Sequence, residues 1–151
     1  IVEMFGCERI KAMGDAYMAV AGIPEASPDH AADMARVALR LRRYLDRRNA
    51  AHTRTWDCRI GIATGPVIGS IVGIQKYVYD IFGPGVNLAA RMEGMSEPMR
   101  ITLSSETYDL IKNDFIFEEQ GFREVKGFGE IEMFFLEGER ERTSIRRENL
   151  I

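Results

Sequence analysis

The chain has 151 residues, the length of one domain that can bury a core without disulfides or a structural metal. Hydrophobic residues make up 46% and charged residues 28%, a balance that excludes a disordered chain. Twenty Lys and Arg against 23 Asp and Glu leave a net charge of −3, which gives no support to a nucleic-acid binder working through its global field. No apolar run approaches the ~18 residues a membrane span needs, and no signal peptide is visible. Cys7 and Cys58 lie far apart, with neither a CxxC pair nor a disulfide framework, which suits a reducing compartment. The chain opens on Ile1-Val2-Glu3, without Met, in what reads as the middle of an element.

In chain order, residues 1–6 read as the end of a helix closed by Gly6. Residues 8–11 and 16–21 read as short strands around a tight turn at Met13-Gly14-Asp15. A helix start is marked at Ser27-Pro28-Asp29, a capping hydroxyl followed by proline. Met34, Val37, Ala38, Leu41 and Leu45 then recur at helical spacing and predict one buried face. Arg36, Arg40, Arg43, Arg47 and Arg48 occupy the other faces and read as a solvated surface. His30 and His52 lack partners at metal-ligand spacing and read as surface histidines.

Residues 58–63 and 67–72 predict strands joined at Thr64-Gly65-Pro66, and 78–82 another. A helix over 86–95 follows, then a strand at 101–103 and a short helix at 106–112. Strands are expected at 115–118, 122–125 and 131–136, the last two joined at Lys126-Gly127-Phe128-Gly129. Residues 137–151 are dense in mixed charge and read as a solvated tail or connector. Strands interleaved with helices and hairpins suggest an α+β fold with helices on one face of a sheet, the ferredoxin-like arrangement being a natural candidate.

Phosphate-loop, dinucleotide, zincin and nucleophile-elbow signatures are absent. Three segments look chemical. Asp15 at a glycine-assisted turn between strands suits a hard divalent cation, or it caps turn amides. Asn87 and Arg91, four apart near a helix start, share a face that suits a sugar oxygen and a phosphate, or a plain polar surface. Lys126 on a glycine turn reaches a phosphate or sits idle at a hairpin tip.

Taken together and in order, these segments resemble the class III nucleotidyl cyclase catalytic domain. Ile10-Lys11-Ala12-Met13-Gly14-Asp15-Ala16-Tyr17-Met18 is similar to the family's IK-x-x-GDAYM element. Arg59-Ile60-Gly61-Ile62-Ala63-Thr64-Gly65-Pro66-Val67 followed by Val72-Gly73 resembles its RIGI-x-TGPV…VG strand pair. Tyr79-Asp80 through Arg91-Met92 resembles its YD-x-x-G-x-x-VN-x-A-x-RM element, and Val125-Lys126-Gly127 its late VKG turn. The resemblance spans residues 1–138, leaving 139–151 as a charged tail or linker.

The resemblance implies a ferredoxin-like cyclase fold, active as a head-to-tail homodimer with sites at the interface. It implies that Asp15 is the second of two metal aspartates, for Mg2+ or Mn2+, two ions in the complete site. It implies that Lys11 and Asp80 read the purine base, Asn87 orients the ribose, Arg91 stabilises the transition-state phosphate, and Lys126 contacts the terminal phosphates. Adenine presents an N1 acceptor and an N6 donor, which a donor-only Lys11 and an acceptor-only Asp80 complement. Guanine has the opposite polarity, and guanylyl cyclases of the family typically carry Glu and Cys there. The expected activity is therefore conversion of ATP to cyclic AMP and pyrophosphate. A catalytically silent dimerisation or nucleotide-sensing module and a guanylyl cyclase are the alternatives.

One departure matters. The family's first metal aspartate lies in an F-x-D-I-x-G-F-T type element, and none occurs in these 151 residues. The expectation is an N-terminally incomplete fold, lacking its first strand and helix and catalytically impaired when taken alone. The expected setting is the cytoplasm, including the cytoplasmic part of a membrane-anchored or multidomain protein. No nucleic acid partner is expected, and no membrane segment lies in this chain.

Overall fold

The computed structural model describes residues 8–13, 16–23, 26–72 and 78–141. Eight strands and three helices alternate along these residues: β1 Glu8–Met13, β2 Ala16–Val20, α1 His30–Ala51, β3 Arg59–Ile62, β4 Ile68–Val72, β5 Val78–Phe82, α2 Pro84–Gly94, β6 Arg100–Ser104, α3 Ser105–Ile111, β7 Phe115–Val125 and β8 Gly129–Glu139. The expected helix end at 1–6 lies outside the described residues.

The main sheet has the order β3-β6-β8-β7. β3 and β6 are parallel, while β6–β8 and β8–β7 are antiparallel. Its strands alternate between two buried surfaces, as the period of two requires. Ile62, Ile101, Leu103, Phe134 and Leu136 turn to one side and pack with Ala31, Ala35 and Ala38 of α1 and Ile111 of α3. Met133 and Val125 turn to the other and pack with Leu88 and Met92 of α2. Helices therefore cover both faces, which corrects the single helical face expected from sequence. That expectation missed the continuous burial of residues 133–136, the mark of a strand enclosed on both sides.

α1 begins at His30, two residues later than Ser27-Pro28 suggested. The Ser27 hydroxyl still accepts a hydrogen bond from the Asp29 amide (3.3 Å), and Asp33 N donates to Asp29 O (2.9 Å). The helix buries two flanks at once: its alanines face the main sheet, and Val37 with Met34 and Leu41 packs on Ala19 of β2 and on Ala21. α1 thereby ties the β1–β2 hairpin to the main sheet. His30 is half-buried at that junction, while His52 is exposed. The strand pair β1–β2 and the pair β4–β5 are each antiparallel.

β7 is one strand of 11 residues rather than two. Register shifts between Ile116 and Phe117 and between Glu119 and Gly121 interrupt its alternation, and Gly121 takes a φ of 75°, so its pattern reads as two pieces. β8 runs on to Glu139, and Arg140 is fixed by bonds to Asp114 O (2.9 Å) and Phe115 O (3.1 Å). The first charged residues after 137 therefore belong to the sheet. Among the described residues no helix is long and apolar enough to cross a membrane.

Candidate active site

Five of the six expected site residues fall on three neighbouring elements and one hairpin tip. Lys11 sits in β1, opposite Met18 of β2, next to a register shift after Arg9. Asp80 sits in β5, opposite Ser70 of β4. β1 and β5 approach within 8 Å between Cα atoms, so the two sequence-distant hairpins lie side by side. Met13 pairs with Ala16 and closes the first hairpin; Asp15 lies outside the described residues.

Asn87 and Arg91 are exposed on α2, the helix that follows β5 directly. Each immediately precedes a buried residue, Leu88 (7% exposed) and Met92 (0%). At about 100° per residue they therefore flank the buried stripe on one side, a turn apart.

The start of α2 is set by backbone approach. Gly83 takes a φ of 123°, open to glycine, and its carbonyl accepts from Val86 N (3.1 Å) and Asn87 N (3.2 Å). Gly85 N donates to Pro66 O (3.0 Å), and a Cβ on Gly85 would lie 2.9 Å from Gly65 O. Two glycine–proline turns, Thr64-Gly65-Pro66 and Gly83-Pro84-Gly85, thus stack backbone on backbone. A β-carbon on Gly61 of β3 would overlap Glu93 N and lie 2.6 Å from Ala89 O. These glycines let α2 sit close on β3 and fix where Asn87 and Arg91 stand. Sequence reading did not single out this role; their signal was the repeated Gly-Pro spelling and a lone glycine inside a strand pattern.

Lys126 is exposed at the tip of the β7–β8 hairpin. Phe128 N donates to Val125 O (2.9 Å), with Gly127 and Gly129 at φ of 86° and 75°. The tip does not stand free. Val125, Phe128 and Ile131 pack with Leu88 and Met92 of α2. One apolar cluster therefore binds the element carrying Lys126 to the helix carrying Asn87 and Arg91. Lys126, Asn87 and Arg91, all exposed, are side chains suited to phosphate and sugar oxygens, and they stand on these two packed elements.

Among the described residues no group of three or more His, Cys, Asp or Glu side chains suits a metal ion.

The family model for the adenylate and guanylate cyclase catalytic domain matches residues 1–138. The chain belongs to this family, the class III nucleotidyl cyclases, whose domains generally use divalent metals. An adenylate cyclase of Mycobacterium tuberculosis is 36% identical over 138 residues, which is 91% of this chain and 31% of that protein. The chain thus spans about a third of the length of that curated relative. The guanylate cyclase domain of RhGC from Catenaria anguillulae, solved in complex with GTP, superposes with a TM-score of 0.85 at 30% identity, over 92% of this chain and 76% of that one. The adenylyl cyclase CyaB from P. aeruginosa superposes with a TM-score of 0.84 at 27% identity, over 95% and 78%. Adenylate and guanylate cyclases both stand among these relatives.

Proposed function

We propose that the chain is an adenylyl-type catalytic domain, converting ATP to 3′,5′-cyclic AMP and pyrophosphate. The observation that carries this reading is the adjacency of β1 and β5, which brings Lys11 and Asp80 onto neighbouring strands although 69 positions separate them in sequence. A donor-only and an acceptor-only side chain on adjacent strands suit the N1 acceptor and N6 donor of adenine.

In the reaction proposed, the ribose 3′-oxygen attacks the α-phosphorus in line. The new O3′–P bond forms as the bond from the α-phosphorus to the bridging oxygen breaks, the 3′-hydroxyl proton passes to solvent water, and pyrophosphate departs. Asn87 holds the ribose oxygen and so aims the 3′-hydroxyl. Arg91, one turn further on, faces the α-phosphate, where its fork of donors stabilises charge spread over the equatorial oxygens. Lys126 binds the terminal phosphates and helps the leaving group depart. Asp15 would hold a divalent ion, Mg2+ or Mn2+, with two ions in a complete site; when bound, such ions neutralise phosphate charge and ease loss of the 3′-hydroxyl proton. No side chain of this chain is assigned as a general base.

The proposed partner is a second copy, arranged head to tail, that completes each site at the interface. Residues 1–138 are proposed as part of the catalytic domain and 139–151 as a charged tail or linker, in a cytoplasmic setting. A guanylyl reading draws its support from the GTP-bound relative.

Turnover of ATP and of GTP by the intact protein with Mn2+ tests the proposal. ATP should be the preferred substrate. Preference for GTP, or no product from either nucleotide, would sink it.

A further inference from the structure

Charge is segregated on this molecule. Residues 40–57 carry six arginines and two aspartates, although the whole chain has a net charge of −3. Within this stretch Tyr44 and Trp56 are 59% and 55% exposed. Trp56 is held rigidly for so exposed a ring. The Arg48 guanidinium lies 3.6 Å from its ring centroid. Asn49 clamps its backbone from both sides, accepting from Trp56 N (2.9 Å) and donating to Trp56 O (2.8 Å). Arg48 also donates to Arg54 O (3.1 Å), which fixes the loop. An aromatic anchor ordered in advance loses little entropy on docking, and Trp, Tyr and Arg dominate the centres of protein interfaces.

The opposite charge gathers on the β7–β8 hairpin. Residues 118–132 carry five glutamates against Arg123 and Lys126. Glu124 and Glu130 are direct cross-strand partners, and Phe122 faces Glu132 two positions along. The two pairs share one side of the hairpin, because residues two apart do. That side is the one turned away from α2, since Val125 and Ile131 take the α2 side. Phe122 is 68% exposed, so an apolar ring stands beside three carboxylates. Like charges directly opposite on a ladder are destabilising, a cost that a cationic partner removes.

The two surfaces do not meet within one chain. Thr102 pairs with Phe135, and Arg42 of α1 donates to Glu137 O (2.7 Å), so α1 leaves the sheet near the end of β8. The hairpin tip is at the start of β8, the opposite end of the same sheet.

We infer that the basic aromatic end of α1 docks onto the acidic Phe122 side of the β7–β8 hairpin of a second copy. Such a contact is heterologous: each chain offers one surface and receives the other, so association continues beyond a pair unless the rotation closes a ring. It leaves the α2 side, with Asn87 and Arg91, uncovered. It is therefore separate from the head-to-tail pairing proposed for catalysis. The net negative charge of the rest of the molecule disfavours a nucleic acid as the occupant of the arginine surface.

The test is sedimentation velocity of the full chain across a concentration series reaching on the order of 100 µM, at low and high salt. The expected result is a salt-sensitive associated species. Arg43→Glu with Arg47→Glu should weaken it about tenfold or more, as should Glu124→Arg with Glu130→Arg. Combining all four changes should restore it, and that restoration separates the contact from simple misfolding. A monomer throughout the series would overturn the inference. So would association indifferent to both pairs of changes, or association lost with the α1 pair but kept with the hairpin pair, which would point to a different acidic occupant.

Discussion

Gly61→Ala is the sharpest probe of how α2 is held. Its added methyl carbon would overlap Glu93 N and lie 2.6 Å from Ala89 O and 2.7 Å from Glu93 Cα. All three atoms are helix backbone, so no side chain can rotate away, and α2 must move off β3. Overpacking of this kind costs about 1–3 kcal/mol, and because relief here requires a whole helix to shift, Gly61→Ala belongs at the upper end, about 3 kcal/mol. For a chain of this size each kcal/mol lowers Tm by roughly 2–4 °C, so the melting midpoint should fall by about 6–12 °C. Gly94→Ala is the matched control, because nothing lies within 4 Å of a Cβ there. It should leave Tm unchanged or raise it slightly. Urea and thermal melts of the two variants provide the comparison. A Gly61→Ala midpoint within 1 °C of the parent would refute the claim that close backbone approach sets the position of α2.

Three further outcomes follow from the same contacts. Arg91→Ala should lower kcat about 10²–10³-fold, as loss of one transition-state donor does, with no change in Tm because Arg91 is exposed; an unchanged kcat in a cyclase assay would remove Arg91 from the proposed mechanism. Phe128→Ala should loosen the hairpin tip from Leu88 and Met92, raising KM for the nucleotide through Lys126 more than it lowers kcat, which steady-state kinetics would resolve. Burial, reinforced by Asp46 and opposed by Arg42, pushes the Cys58 thiol above its usual range. In a Cys7→Ser background the thiol should therefore react with a disulfide reagent at pH 8 more slowly in the folded chain than in urea. Because the folded value is raised, this contribution to stability is full below the unfolded thiol's pKa and is lost as pH climbs through the folded one.

Much of the architecture was legible in the sequence because its elements obey their periods. Val78–Phe82 is a strand with the expected bounds, and the glycine turn after Val125 is a hairpin tip. What the sequence concealed has a physical cause in each case. The bulge at Glu119–Gly121 breaks the alternation of β7, so one strand looked like two. Two-sided burial of Met133 to Leu136 removes the polar positions that would have shown which faces carry helices. Pro84 starts α2 two residues before the helical pattern becomes visible at Val86, since proline and glycine carry no apolar signal. The candidate site residues come from motifs alone, while the packing that joins their elements left no mark in the sequence: the apolar cluster of Leu88, Met92, Val125 and Phe128 joins elements more than 30 residues apart. Such long-range packing has no local signature.

In the proposed reaction Lys11 and Asp80 together read the purine base. Exchanging both, Lys11→Glu with Asp80→Cys, and measuring the ratio of kcat/KM for ATP and GTP in the intact protein tests it most directly. The pair of changes should move preference from ATP toward GTP, because the donor at position 11 becomes an acceptor, the acceptor at position 80 becomes a weak donor, and guanine presents the reverse polarity of adenine. A preference for ATP that survives both substitutions unchanged would contradict the account.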